Sequence, residues 1–236
     1  MKNKFGSDKL YVTQEYLNNN PTWHVEDSPW KAKQILKIIK KNNLQPNSIC
    51  EIGCGVGEIL NQLFLQMNDN ISFVGYEISP YAFELCRQRE TNRLDYKLKN
   101  LFEDTSAYYD IVMAIDVFEH VEDYFGFLRN LREKGEYKIF HIPLDMSVHF
   151  VLRMFPIMEG RRVIGHIHYF SKDTALATLR ETGYDIIDYF YTPSGIDRAK
   201  TFKEFLLKLP RKIGFTINKD LTVRVLGGYS IIVLTK

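Results

Sequence analysis

Ile49-Cys50-Glu51-Ile52-Gly53-Cys54-Gly55-Val56-Gly57-Glu58 is the stretch whose reading decides the fold. An apolar run of β type enters a loop with glycine at every second position, and a helical pattern follows at once. Glycine is needed where a backbone turns tightly and lets a ligand come closer than a Cβ would permit. The turn feeds a helix N-terminus, whose unpaired N–H groups favour negative charge. A pyrophosphate or a carboxylate would suit that end equally. Glu51, an acid just before the first glycine, sits badly beside a pyrophosphate and can instead hold a cationic ligand through its amino group or ordered water.

Two further stretches follow in order. Gly75-Tyr76-Glu77-Ile78-Ser79 places an acid at the end of an apolar run, and Asp110-Ile111-Val112-Met113-Ala114-Ile115-Asp116-Val117-Phe118-Glu119-His120-Val121 is a strand pattern running into an acid- and histidine-bearing loop. Together the three resemble motif I, the second-strand acid and the fourth strand with its loop of the class I S-adenosylmethionine (SAM) methyltransferases. The resemblance spans roughly residues 46–192 and the last strand. It implies an α/β fold, a doubly wound, mostly parallel seven-stranded sheet with an antiparallel edge strand, and SAM as the cofactor. It also implies that Glu51, Gly53, Cys54, Gly55 and Gly57 surround the methionine and ribose part. By the same likeness, Glu77 accepts the ribose hydroxyls, an arrangement also used by dinucleotide folds, with Ile78 beside it. Asn100, Leu101 and Phe102 would contact adenine, and Asp116, Val117 and His120 the methionine end or the acceptor.

Composition agrees. A chain of 236 residues, 45% hydrophobic and 25% charged, is ordinary for a soluble globular protein of one domain, residues 1–236. A net charge of +2, without a basic block carrying interleaved aromatics, argues against a nucleic-acid partner. No run of about 20 apolar residues offers a membrane span, and residues 1–9 lack the apolar core of a signal peptide. Cys50, Cys54 and Cys86 are odd in number and match no zinc pattern, so a reducing, cytoplasmic setting is expected.

Strand and helix patterns alternate along the chain, as a parallel sheet covered on both faces requires. Strands are predicted at 48–52, 71–76, 94–98, 109–115, 137–142, 186–191 and 229–234. Helices are predicted at 58–67, 80–90 and 121–133, the last closed by Gly135, and another follows a Ser171 cap and ends at Gly183.

Three segments lie outside this core and are where substrate choice is expected. In residues 1–47, Ser28-Pro29 opens a helix with Ala32, Ile35, Leu36 and Ile39 at helical spacing. Trp23, His24 and Trp30 before it read either as anchors of a pinned loop or as part of a substrate-binding lid. Residues 143–170 are too long for a plain connection and carry Arg153, Arg161, His166, His168 and Tyr169. The two arginines could clamp an acidic substrate group. Residues 193–228 hold Ala199, Phe202, Phe205, Leu206 and Leu209 at helical spacing up to Pro210, a pocket wall or a homodimer contact.

Gly165-His166-Ile167-His168-Tyr169 alternates so that both histidines face one side of an extended segment, and it resembles a stretch found in small-molecule methyltransferases. Paired imidazoles suit zinc or iron, but no acid spacing accompanies them, and no metal is expected. With His120, these histidines are the candidate catalytic residues, since an imidazole is well matched to taking a hydroxyl proton. His141, inside an apolar strand, reads as a core histidine.

The expected function is methyl transfer from SAM to a small-molecule hydroxyl on a sugar, quinone or secondary metabolite. The alternatives are N- or C-methylation and a SAM-binding adaptor without transfer activity. A nicotinamide dehydrogenase fits less well, because Gly-x-Gly-x-Gly replaces Gly-x-Gly-x-x-Gly. Gly55→Val is expected to abolish SAM binding in calorimetry while leaving the circular dichroism of a folded protein; an unchanged dissociation constant would mean the turn lies elsewhere.

Overall fold

In the computed structural model, which describes residues 20–197 and 202–236, one seven-stranded sheet organises the chain in the order β3-β2-β1-β4-β5-β7-β6. The strands are β1 (Ser48–Ile52), β2 (Ser72–Glu77), β3 (Leu94–Leu98), β4 (Tyr109–Ile115), β5 (Gly135–Pro143), β6 (Ile186–Thr192) and β7 (Ser230–Thr235). Strands β1 to β5 pair in parallel, and β7 runs antiparallel to both β5 and β6. The antiparallel pairing therefore sits at one edge, with β6 outermost.

Side chains alternate across a strand, and both faces here are covered, so the central strands are apolar nearly throughout. One face packs Ile49, Ile111, Met113, Ile139 and Ile232 against Ile35, Ile38, Leu60 and Leu63. Ile35 and Ile38 come from helix α1 (Ser28–Lys41), and Leu60 and Leu63 from α2 (Glu58–Phe64). The other face packs Val112, Ala114, Phe140, Ile231 and Val233 under Leu128, Leu131, Leu176 and Leu179. Those leucines belong to α4 (Tyr124–Arg132) and α7 (Lys172–Glu181); α3 (Pro80–Cys86) links β2 to β3. The order of strands reverses between β1 and β4, which opens a crevice at their carboxyl ends, the usual ligand position in such sheets.

Several boundaries differ from the sequence expectation. Helix α1 starts at Ser28, so Ser28 is its first residue rather than its cap. The helix expected at 121–133 starts only at Tyr124, as α4, after a separate 3-10 turn at Phe118–His120, and its cap Asp123 accepts the Gly126 N–H at 2.8 Å. Gly135 does not close that helix but begins β5. A Cβ there would lie 2.6 Å from the Tyr109 carbonyl oxygen, so this glycine serves strand approach. Gly183, at φ +90°, does end α7 as expected.

Residues 143–170 contain α5 (Val148–Arg153) and α6 (Phe155–Val163). In the third segment α8 (Ser194–Asp197) precedes α9 (Phe202–Ile217), and α10 (Lys219–Leu226) follows. Ala199 lies outside the described residues. Helix α9 continues through Pro210 instead of stopping there. A proline inside a helix costs a backbone hydrogen bond; tertiary anchoring offsets it, with the buried Arg211 guanidinium donating to Leu226 O and Tyr229 Oη donating to Arg211 O. No helix among the described residues is long and apolar enough to cross a membrane.

Gly135→Val should lower stability by about 1–3 kcal/mol, the usual cost of forcing extra volume into a packed site. A reduced urea midpoint at unchanged slope is the measurement; an unchanged midpoint would show that β4 and β5 can part freely at that end.

Candidate active site

The glycine turn leaves β1 with Gly53, Gly55 and Gly57 all at positive φ, +66°, +55° and +74°. Each works differently. A Cβ on Gly57 would strike the Tyr96 ring at 2.4 Å, and Tyr96 Oη donates to Gly57 O at 2.7 Å, so β3 buttresses the turn. Among the described residues, a Cβ on Gly55 would meet only the Trp23 ring, at 4.0 Å, because Gly55 opens into a cavity.

Glu77, at the end of β2, fixes the turn from the side. Its Oε2 accepts the Gly55 N–H at 2.7 Å, and its Oε1 accepts those of Ile78 and Ser79 at 2.8 and 2.7 Å. Burial raises its pKa to about 6, and the three N–H bonds act against that rise. Glu51 is fully enclosed, with Oε2 buried and lacking a hydrogen-bond partner among the described residues. Burial pushes its pKa to about 8, opposed by the charge of Lys31.

The cavity, about 540 Å³, lies at the crevice and is lined on this side by Glu51, Gly53, Cys54, Gly55, Glu77 and Ile78. Trp23, His24 and Lys31 of the N-terminal segment also line it. Trp23 and His24 both hold positive φ, 49° and 56°, a conformation that bulky residues seldom adopt. Packing of the segment over the glycine turn sustains this local strain.

Asp116, at φ 55° just after β4, ends the same side. Its Oδ2 pairs with Lys31 Nζ at 2.7 Å and its Oδ1 with His141 Nδ1 at 2.6 Å, while His141 Nε2 bonds Thr192 Oγ1 at 2.9 Å. Burial would raise the Asp116 pKa, but His141 and Lys31 outweigh it and hold the carboxyl well below its usual range. His141 is thus a core histidine, as expected, and it bridges β5 to β6. Asp116 and Val117 line the cavity, but the Asp116 carboxylate is engaged by Lys31 and His141. Trp30 does not line it; its indole packs edge-on against His141 and donates to Asp197 Oδ2 at 3.0 Å.

The opposite side of the cavity carries His120, Val121, Leu144, Asp145, Phe150, Ile164, His166 and Tyr229. His166 Nδ1 bonds Asp145 Oδ2 at 2.8 Å, which directs Nε2 away from the carboxylate. Burial opposes its protonation, yet the Asp145 bond and the Glu119 charge together raise its pKa above the ordinary imidazole value. His120 Nδ1 donates to Gly165 O at 3.0 Å, and the two imidazoles meet edge-on with centroids 4.8 Å apart. Burial, helped by His166, drives the His120 pKa down to about 3, so that ring is neutral. The expected pairing of His166 with His168 does not occur at the cavity. The His168 Nε2 donates to Val121 O at 2.9 Å and its ring lies against Tyr124, which makes it a structural anchor.

Other expected residues fall outside the cavity lining. Asn100 caps the turn Leu101–Glu103 by accepting the Phe102 N–H, Leu101 is buried, and Phe102 packs edge-on against Phe127. Arg153 is exposed beside His149, Arg161 is exposed on α6, and Tyr169 Oη donates to His166 O. Asp145 and Lys31 were not singled out from the sequence. Asp145 could have been found as the acid two residues beyond β5, because ligands gather at carboxyl ends of strands; nothing local marks Lys31.

A glycine turn, two buried acids and a cavity at the strand switch point define a nucleotide-type binding fold with a methyltransferase layout. Residues 25–189 match the methyltransferase-domain family, and the chain belongs to it. It is 30% identical over 108 residues to a ubiquinone biosynthesis O-methyltransferase of Rickettsia bellii, a match spanning 44% of this chain and 45% of that protein. The fold resembles magnesium protoporphyrin IX methyltransferase from Synechocystis PCC 6803 with bound SAH, at TM-score 0.61, 15% identity and 97% and 96% coverage of the two chains. It also resembles the cyclopropane synthase MmaA2 from Mycobacterium tuberculosis, at TM-score 0.62, 16% identity and 98% coverage of each.

Glu77→Ala should weaken SAM binding by about 1.5–3 kcal/mol, the scale of hydrogen bonds to a charged group. It should also lower the melting temperature, because the Gly55, Ile78 and Ser79 N–H groups lose their acceptor. Calorimetry and thermal unfolding on one preparation test this; loss of affinity at full stability would mean the turn holds itself.

Proposed function

We propose that this chain methylates a hydroxyl of a small, ring-bearing acceptor with SAM as the methyl donor. The observation that supports the reading is a single cavity with a donor side and an acceptor side. The donor side offers the orphaned Glu51 Oε2 to an ammonium group and the open Gly55 face to a close-lying ligand, and both features fit SAM. When bound there, SAM supplies an electrophilic methyl group on its sulfonium.

The rest is the work of this chain's side chains. Phe150, Ile164, Leu144 and Tyr229 give the acceptor side apolar and aromatic walls suited to a flat ring. Asp145 holds the His166 ring by Nδ1, so Nε2 can take the hydroxyl proton as oxygen attacks; such a base contributes roughly 10²–10⁴-fold. Trp23 and His24 close the cavity from the N-terminal segment and keep water from the reaction, a lid role. Positioning two reactants in one enclosure supplies the larger share of the rate, up to about 7–11 kcal/mol in favourable cases. Methylation of a hydroxyl is favoured over N-methylation by the Asp145–His166 pair, since a neutral amine needs no base. The curated relative's O-methyl chemistry points the same way.

Purified protein incubated with SAM and a panel of phenols, sugars and amines tests the reading by SAH release. Phenolic or quinol-type hydroxyls should be methylated; turnover confined to amines would sink it. His166→Ala should cut kcat by about 10²–10⁴-fold with SAM affinity intact, whereas His168→Ala should leave kcat close to wild type. Equal losses in both variants would remove His166 from its assigned place.

A further inference from the structure

Strands β6 and β7 are apolar or aromatic along most of their length and turn polar where they meet the crevice. Thr192 ends β6, Ser194 follows two residues later, and Ser230 opens β7. The ladders place Ser230 opposite Thr192 on one side and Pro143, the last residue of β5, on the other. Thr192 Oγ1 is committed to His141 Nε2 at 2.9 Å and serves the network behind the cavity. Ser194 and Ser230 differ: both are buried, both line the cavity, and their Oγ atoms share a hydrogen bond at 3.2 Å.

A serine hydroxyl carries one O–H donor and two lone pairs, so the bond between two serines uses one of two protons and one of four lone pairs. Among the described residues no other group bonds the side-chain oxygen of either serine. One O–H and three lone pairs remain for whatever the cavity holds. A buried donor without an acceptor is costly, so the pair calls for a ligand oxygen once a bound acceptor has displaced water. It offers both a donor and lone pairs, a pattern that a hydroxyl group matches and an apolar ring edge does not.

The pair is built onto the same wall as the base. Leu144 N–H donates to Tyr229 O at 3.2 Å, so Asp145, which holds the His166 ring, leaves β5 beside Ser230. Among the described residues, Lys31 is paired with Asp116 and His166 with Asp145, which leaves no surplus positive charge on this wall for a carboxylate.

We propose that Ser194 and Ser230 form a specificity subsite for a second, unreacting hydroxyl of the acceptor, which makes that acceptor a neutral compound with two or more hydroxyl groups. The inference rests on the hydroxyl-methylation reading above and narrows its acceptor. One hydroxyl is held by the serines while another meets His166 Nε2, so two points fix the ring and decide which oxygen attacks the methyl carbon. Nothing in the sequence marks the pair, because its members lie 36 positions apart.

SAH release is followed with matched probes: phenol against catechol, resorcinol and hydroquinone, and cyclohexanol against the cyclohexanediols. The best two-hydroxyl probe should exceed its one-hydroxyl counterpart in kcat/KM by about 10–100-fold, mainly through KM. Ser194→Ala and Ser230→Ala, singly and together, should shrink that ratio towards one. If the serines only tie α8 to β7, their loss lowers both probes alike and leaves the ratio unchanged, which would overturn the subsite. Equal turnover of the two probe classes by the wild-type protein would do the same. Calorimetric titration of the probes into SAH-loaded protein repeats the comparison without turnover. Preferential binding of the two-hydroxyl probes without transfer would keep the subsite and remove the functional reading; transfer without discrimination would do the reverse. Neither binding nor transfer would remove both.

Discussion

A single carboxylate holds the donor side together. Glu77 reaches from the end of β2 to the Gly55 N–H of the turn after β1 and to the Ile78 and Ser79 N–H groups that begin its own following loop. Hydrogen bonds to a charged acceptor are worth more than neutral ones, and burial removes the water that would compete for them. The turn can therefore keep three glycines at positive φ without a side chain of its own to pin it. Everything placed by that turn follows from it: the open face of Gly55, the orphaned oxygen of Glu51 and the start of α2.

A second network completes the same side of the cavity. Lys31 from α1, Asp116 after β4, His141 on β5 and Thr192 at the end of β6 form one connected chain of bonds. Its effect is to lock the N-terminal segment, which covers the cavity, to the sheet that shapes it. The left-handed backbone of Asp116 aims one carboxylate at both Lys31 and His141. Backbone strain of this kind, at Trp23, His24 and Asp116, gathers around the cavity, where the surrounding structure fixes it.

The sheet and its order of elements were largely legible in the sequence, because strands buried on both faces must be apolar throughout and parallel strands must alternate with helices. Boundaries were less so. Gly135 reads as a helix stop, yet it begins a strand, since only the Tyr109 carbonyl across the sheet explains why a Cβ is excluded there. Pro210 reads as a helix end, yet α9 passes through it, because Arg211 and Tyr229 are anchored by partners distant in sequence.

The donor side belongs to the sequence. Glu51, the glycines and Glu77 lie on consecutive strand ends, so local spacing alone brings them to the same edge of the sheet. The acceptor side belongs to the tertiary structure. Alternation pairs His166 with His168, but the folded loop turns His168 to Val121 O and sets His166 against His120 and Asp145. Asp145 and Lys31 meet their partners only after the N-terminal helix and the segment before α7 are laid on the sheet. Spacing along the chain holds no record of contacts between segments that distant; packing creates them.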